Sequence, residues 1–294
     1  MIRTPHQHLV TRLSRSLAAG ALAVVLTGCA TMNLDSILKH GENLARSFSQ
    51  EATPEKQQAM GDEAAALLLG AAPLVKNAAL QNYVNRLGLW VALQAGPDDT
   101  NWRFGVIDTD SVNAFAAPSG YVFITRGLLA RLENESELAG VLAHEIAHVL
   151  QGHYVNTMIK RDRVAALGDL TQSALRGGGK GDWGPLVNLS RGVYGSGLDK
   201  GDEYQADRMG VVLAARAGYD PYGLPRVLQM YATTSGQGEF ELLFSTHPGA
   251  DARLDELASV MGDKFDSLEK SGVKNTAAFP RYRTNAKTGG RGTR

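Results

Sequence analysis

The chain has 294 residues, of which 44% are hydrophobic and 20% are charged, and its 30 basic and 30 acidic residues give a net charge of zero. These values are typical of an ordinary globular protein, long enough for one large domain or two small ones. Since the chain as a whole has no excess of basic residues, we expect no nucleic-acid partner.

The N-terminal segment is predicted to be a secretory signal peptide. Arg3, Arg12 and Arg15 are its charged residues, and an apolar run, LAAGALAVVLTG, follows them and ends just before Cys29. A basic region, a short apolar region and small residues at the cleavage point are the features of such a signal, so residues 1–28 are assigned to it. The alternative is a single membrane anchor, but the run is much shorter than the ~20 residues that a spanning helix needs.

Cys29 is the only cysteine, so the chain cannot form an internal disulfide. It completes the stretch Leu26-Thr27-Gly28-Cys29, which resembles the lipobox of bacterial lipoproteins. The resemblance implies that Cys29 is lipidated after cleavage and anchors the protein to a membrane, as several acyl chains do stably. Ala30 stands where an aspartate favours inner-membrane retention in proteobacterial lipoproteins, which implies a periplasmic protein at the inner leaflet of the outer membrane. The alternative is a plain signal peptide followed by a free thiol.

A lipidated tether, residues 29–53, is predicted to lead into two helices. Thr53 and Pro54 are typical of a helix cap and a first turn, so the first helix is expected to start at Pro54. The second helix is predicted over residues 73–94 and ends before Gly96 and Pro97. Its apolar residues at helical spacing are Leu80, Val84, Leu87 and Val91.

A small antiparallel sheet is predicted next. Residues 102–108, WRFGVID, have the composition of a short strand. Two further apolar runs lie within residues 113–124 and are separated by Pro118-Ser119-Gly120, a turn signal that favours a hairpin.

Helical patterns dominate after Leu128, so the fold class is predicted as α+β and mainly helical. The helices are expected at residues 136–153, 154–176, 201–218 and 221–232, with a further one from Leu186 and a last packed one that ends at Gly262. Residues 176–185 contain five glycines and are predicted to form a mobile loop. The last twenty residues carry five bases and no acid, so residues 263–294 are predicted to be a basic, flexible tail.

The stretch VLAHEIAHVLQGH holds three of the seven histidines of the chain. On a helix, His144 and His148 lie four residues apart and share a face, where two imidazoles can bind one metal. Glu145 projects beside them, close enough to act as general base on a water at that metal. The alternative is a pair of histidines that are hydrogen-bonded within the core and bind nothing.

A catalytic zinc needs a third protein ligand and an open position. His153 stands five residues beyond His148, and the residues that would complete the metzincin pattern are absent. The gluzincin class instead takes a glutamate from a later helix, and GDEYQADRMG offers Glu203 with Asp207 four residues on. We therefore predict one Zn²⁺ per chain, bound by His144, His148 and Glu203, with Asp207 orienting a ligand histidine.

Four segments in this order resemble one family: NAFAAPSGYVFITRGLL, HEIAHVLQGH, EYQAD and STHPGADARLDEL. The chain resembles the zinc metallopeptidases related to the HtpX, Oma-type and CAAX-prenyl proteases, and within them the periplasmic lipoprotein branch. The resemblance covers residues 54–262 and implies a zincin-type core, with the small sheet or hairpin beside the helix that carries the two histidines.

The resemblance also implies roles for residues outside the zinc motif. Asn113, Ala114 and Phe115 match the start of an edge strand that binds the substrate backbone, although Phe115 can equally be sheet core. His247 matches a late histidine that either stabilises the oxyanion or occupies the fourth metal position in a latent state. Arg253 matches an arginine that pairs with Asp207 or Glu203, or that helps to hold the wall on which His247 lies.

Two functions are carried forward. The leading hypothesis is a zinc metalloendopeptidase that degrades unfolded, misfolded or misassembled envelope polypeptides. The alternative is a zinc-binding, chaperone-like lipoprotein with latent or rare proteolysis, which would not need Glu145. A purely structural zinc site is disfavoured, because such sites usually have four protein ligands and are often rich in cysteine. The sequence carries no signal for an oligomeric state.

Overall fold

The computed structural model describes residues 53–160, 198–234, 243, 246–247 and 249–287. All of them belong to one of two compact units, the one formed by residues 51–162 and 177–294. Several predicted features lie outside the described residues: the signal peptide, Cys29, most of the tether, most of the 154–176 helix, the glycine-rich loop and the start of the helix predicted from Leu186. Within these ranges, no helix combines the length and the apolar composition that crossing a membrane requires.

The described part of the chain is mainly helical with one small sheet, so the predicted fold class is confirmed. In chain order the elements are α1 Pro54–Ala71, α2 Ala78–Ala92, β1 Arg103–Ile107, β2 Ala114–Ala117, β3 Tyr121–Thr125, α3 Arg126–Arg131, α4 Glu135–Leu150, α5 Lys200–Arg216, α6 Gly223–Thr233, α7 Ala250–Met261, α8 Asp266–Ser271 and α9 Phe279–Lys287. Residues 153–160 are also helical.

The first two helices begin where side chains cap them. The Thr53 hydroxyl accepts a hydrogen bond from the backbone N–H of Lys56 at 3.3 Å, and Pro54 lies in the first turn, as predicted. The second helix begins a turn later than predicted, because the Asn77 side chain accepts from the Leu80 N–H at 3.0 Å and fixes the start there. The four apolar residues predicted for its inner face are all buried.

The predicted hairpin is confirmed, but the sheet as a whole is mixed. β2 pairs antiparallel with β3, with Phe115 opposite Phe123, and the turn contains Ser119 at a φ of 62°. β1 pairs with the other side of β3 and runs parallel to it. The expectation that all three strands are antiparallel is therefore wrong for β1. The reason is that β1 and β2 are not neighbours in the sheet. The connection between them leaves room for one strand, and β3 occupies that central position.

The helix α4 is the centre of the core. Asn134 caps it through a 3.0 Å hydrogen bond from the Glu137 N–H, and every residue from Glu135 to His148 is buried. The helix α5 comes very close to it, since a Cβ added at Gly210 would lie 3.0 Å from the backbone nitrogen of His144. Small residues at this contact thus bring α5 against the turn of α4 that carries the first histidine.

The segment after Gly262 is not the solvated tail that the sequence predicted. Residues 266–271 and 279–287 form α8 and α9, and Phe279 is buried with 1% of its surface exposed. Polar contacts reinforce this packing, because the Asn275 side chain accepts from the Glu135 N–H at 3.0 Å. The tail prediction rested on local composition and missed these buried contacts. Residues 288–294 lie outside the described part of the chain.

Candidate metal centre

The two histidines of α4 face each other on one side of the helix, as their spacing predicted. His144 Nε2 and His148 Nε2 are 2.9 Å apart, and both side chains are buried. Burial and the surrounding positive groups lower the pKa of His148 well below its ordinary value, so its imidazole is neutral at pH 7. A neutral imidazole with a free ring nitrogen is the form that binds a metal.

The helix α5 brings Glu203 to the same point. Its carboxylate oxygens lie 3.6 Å from His144 Nε2 and 3.7 Å from His148 Nε2. His247 approaches from the other side, with Nδ1 at 3.1 Å from the nearer oxygen of Glu203. One ligand atom from each of these four buried residues lies within 4.8 Å of the other three, so the group could hold a metal ion.

The chemistry of this donor set fits zinc. Two imidazoles and a carboxylate are the ligands of many catalytic zinc sites. Glu145 Oε2 and His247 Nε2 are buried polar atoms with no hydrogen-bond partner among the described residues. Such orphan groups are costly unless a solvent molecule, ion or ligand satisfies them, and they border the place where the three donors meet.

A buried ion-pair network supports the donors. Arg253 donates to both oxygens of Asp207, at 2.8 and 2.6 Å, and its Nη1 lies 2.6 Å from Glu203 Oε2. Burial tends to raise the pKa of both carboxyls, but Arg253 outweighs it and lowers the pKa of Glu203 and of Asp207. Asp207 Oδ1 also lies 3.0 Å from His144 Nδ1, the nitrogen that faces away from the donor cluster. The structure thus places Arg253 against both acids that the sequence offered.

Glu145 differs from Glu203 in its surroundings. It is buried, its Oε1 lies 3.5 Å from His247 Nε2, and burial raises its pKa above the ordinary value. A carboxylate with a raised pKa is a better proton acceptor near neutral pH. The site therefore contains two acids, Glu203 and Asp207, that an arginine holds ionised, and one acid, Glu145, that is suited to accept a proton.

A cavity of about 20 Å³ adjoins these groups, roughly the space that one water molecule needs. Glu145, His247 and Ala114 are among the residues that line it. An apolar wall of the cavity comes largely from α6, from Leu224, Val227, Leu228 and Tyr231. The sequence analysis missed this wall, although the four residues have the i, i+3, i+4, i+7 spacing of a buried helical face.

The three residues predicted to bind substrate differ in their relation to this cavity. Asn113 is fully buried, and its side chain donates to the Thr246 hydroxyl at 3.2 Å, next to His247. Ala114 lines the cavity, whereas Phe115 is 1% exposed and belongs to the core. β2 is an edge strand of the three-stranded sheet. The structure therefore brings Asn113 and Ala114 to the site and gives Phe115 a packing role.

The comparisons with known proteins agree with this geometry. The model of peptidase family M48 matches residues 76–261. A beta-barrel assembly-enhancing protease of Yersinia pestis is 32% identical over 257 residues, which are 84% of this chain and 52% of the relative. Metalloprotease LoiP of Escherichia coli (strain K12) is 26% identical, over 88% of this chain and 98% of the relative. Mitochondrial metalloendopeptidase OMA1 of Schizosaccharomyces pombe is 30% identical over 58% of this chain and 50% of the relative.

The chain spans about half the length of the beta-barrel assembly-enhancing protease. The family match nevertheless covers more than half of the chain and includes α2, the sheet, α4, α5 and α7. Among these elements, α4 carries His144 and His148, α5 carries Glu203 and α7 carries Arg253. The chain belongs to peptidase family M48.

Proposed function

We propose that the protein is a zinc-dependent endopeptidase. The observation that carries the proposal is the convergence of His144, His148 and Glu203 beside a buried Glu145 oxygen that has no hydrogen-bond partner in the described part of the chain. Two histidines and a glutamate are the three protein ligands of thermolysin-type sites, which leave one position for water or substrate. A purely structural zinc site would have no use for Glu145.

In this mechanism each residue has a distinct task. His144, His148 and Glu203 would hold the ion, and Arg253 with Asp207 would fix Glu203 and His144 in place. Zinc, when bound, supplies Lewis acidity to the scissile carbonyl and lowers the pKa of water. Glu145 accepts the proton of the attacking water and then donates it to the leaving amine, which its raised pKa favours.

We further propose that the substrate binds as an added strand along the edge of β2 at Asn113 and Ala114. Backbone pairing of this kind gives affinity with little dependence on side-chain sequence. The position of Ala114 between that edge and the cavity would bring the scissile bond near Glu145. Unfolded or misassembled polypeptides, whose backbone is free to pair, are the substrates that such a site suits.

The place of action proposed here is the bacterial envelope. The support is the lipobox-like Leu26-Thr27-Gly28-Cys29 and the similarity to LoiP and to beta-barrel assembly-enhancing proteases. A lipidated Cys29 would tether the protein to the inner leaflet of the outer membrane. The Cys29→Ser protein should then leave the membrane fraction of cells, and its continued behaviour as an integral membrane protein would contradict the lipid anchor.

The activity is tested with the purified full chain and casein as an unfolded substrate. Cleavage should stop when a chelator removes the metal and should return when zinc is added. Zinc binding without cleavage would contradict the peptidase and favour the chaperone-like alternative. In that case, the same protein should suppress the aggregation of an unfolded polypeptide at zinc-loaded, stoichiometric concentrations.

A further inference from the structure

His153 is a buried histidine that the proposed mechanism does not use. Its side chain is 3% exposed, and its Nδ1 lies 2.8 Å from Nδ1 of His148, on the side of the His148 ring that faces away from Glu203. His153 is therefore not a ligand in this geometry. It lies next to the outer ring nitrogen of His148, just as Asp207 lies next to the outer ring nitrogen of His144.

In a contact between two imidazoles one ring nitrogen donates and the other accepts, and a series of side-chain hydrogen bonds near the surface determines which nitrogen donates. Gln151 Nε2 lies 3.4 Å from the sulfur of Met209, which can only accept, so its Oε1 is left to accept from another group. Gln205 Nε2 donates to that oxygen at 2.8 Å. This contact turns the oxygen of Gln205 toward His153.

The series of hydrogen bonds continues from Gln205 to the buried ring of His153. Gln205 Oε1 lies 3.2 Å from His153 Nε2, and a carboxylate oxygen of Asp202 lies 3.7 Å from the same nitrogen. Both neighbours are acceptors, so Nε2 of His153 carries the hydrogen. A ring whose one hydrogen is on Nε2 accepts at Nδ1, so His148 donates to His153 from its own Nδ1.

We propose that His153 is a positioning residue that fixes the tautomer of His148. With the hydrogen on Nδ1, His148 presents the free lone pair of Nε2 to Glu203 and His144, where zinc would bind. In the opposite tautomer an N–H would point into the donor cluster and would have to be removed or rotated before binding. Partners of the outer nitrogen of a ligand histidine typically change metal affinity 10–100-fold.

The proposal rests on zinc binding at this cluster but not on proteolysis, so its test is zinc affinity measured by chelator competition. His153→Leu has no acceptor and should weaken zinc binding roughly 10- to 100-fold. His153→Asn places an oxygen, which can accept from His148, close to the position of Nδ1. Its zinc affinity should therefore stay within about threefold of the parent value. Asn156→Ala, at an exposed position of the same helical segment, is the matched control and should bind zinc like the parent.

A Leu variant with parent affinity would overturn the proposal, as would an Asn variant as weak as the Leu variant, since packing alone would then explain the loss. The metal-free parent gives a test that needs no variant. Nitrogen-15 NMR of its histidine side chains should show hydrogen on Nδ1 of His148 and on Nε2 of His153, and the reverse pattern would contradict the relay. Because none of these readouts uses cleavage, a protein that binds zinc but leaves casein intact would refute the peptidase and leave this inference standing.

Discussion

At the scale of single residues, Glu145 is the side chain whose chemistry can be separated most cleanly from the metal. Glu145→Gln keeps the shape of the side chain but removes its ability to accept a proton. Since Glu145 lies beside the donor cluster and not within it, we expect unchanged zinc content and casein cleavage lower by about 100- to 10,000-fold. Metal analysis and the cleavage rate of the same preparation check this. A zinc-loaded variant with full activity would contradict the role of Glu145 as base.

His247 is expected to act as a latent fourth ligand. Its ligand atom lies within the 4.8 Å cluster, although a catalytic site needs one open position. His247→Ala should therefore raise basal casein cleavage, by up to about tenfold if the open form is ~10% populated in the parent. A rate about 100-fold lower would instead identify an oxyanion donor, and an unchanged rate with unchanged zinc content would make His247 a packing residue.

The donors could be predicted from the sequence because helical spacing fixes them. His144 and His148, like Glu203 and Asp207, are four residues apart, and a helix places such pairs on one face whatever surrounds it. The partner of His148 could not be predicted in this way. His153 follows the break in the helix at Gly152, whose φ is 68°, so helical spacing alone did not show which face of His148 it would meet.

At the scale of elements, the site depends on how closely α6 approaches α4. A Cβ added at Gly140 would lie 2.7 Å from the backbone nitrogen of Leu224, which cannot move without α6. Gly140→Ala should therefore reduce the free energy of unfolding by about 1–3 kcal/mol and lower casein cleavage, because Leu224 lines the cavity. Urea unfolding and the casein assay measure the two effects.

Gly70→Ala is the control for helix propensity. Gly70 is exposed near the end of α1, and nothing lies within 4 Å of an added Cβ. Alanine there should raise the free energy of unfolding by up to about 1 kcal/mol and leave cleavage unchanged. Equal effects of the two substitutions would contradict the close approach of α6 to α4.

Strand direction was harder to predict than strand position. The apolar runs indicated all three strands, and the turn at Pro118-Ser119-Gly120 indicated the antiparallel hairpin, because a short connection permits little else. The parallel pairing of β1 with β3 depends on where the connection from Ile107 to Ala114 crosses, and no local residue pattern encodes that path.

At the scale of the whole molecule, the C-terminal segment secures the start of α4. The N–H groups of Glu135 and Ser136, in the first turn, donate to the Asn275 side chain and the Lys274 carbonyl, both at 3.0 Å. The carboxylate of Glu135 accepts hydrogen bonds from Tyr83 at 2.7 Å and from Tyr219 at 2.9 Å. Charge counting could not reveal the contribution of the C-terminal segment, because two of its residues, Lys274 and Asn275, make these contacts through a backbone carbonyl and a neutral amide.

Phe279 should accordingly be as important to stability as a residue of the central core. It is 1% exposed at the start of α9, which packs on α3, and Phe→Ala changes in cores cost about 3–5 kcal/mol. Phe279→Ala should lower the free energy of unfolding by that amount, measured by urea denaturation of the metal-free chain. Leu268→Ala, at a position 38% exposed on α8, is the matched control and should change it by less than about 0.5 kcal/mol. If both variants unfold at the parent urea concentration, the segment after Gly262 is a tail after all, and α4 is held by its other neighbours alone.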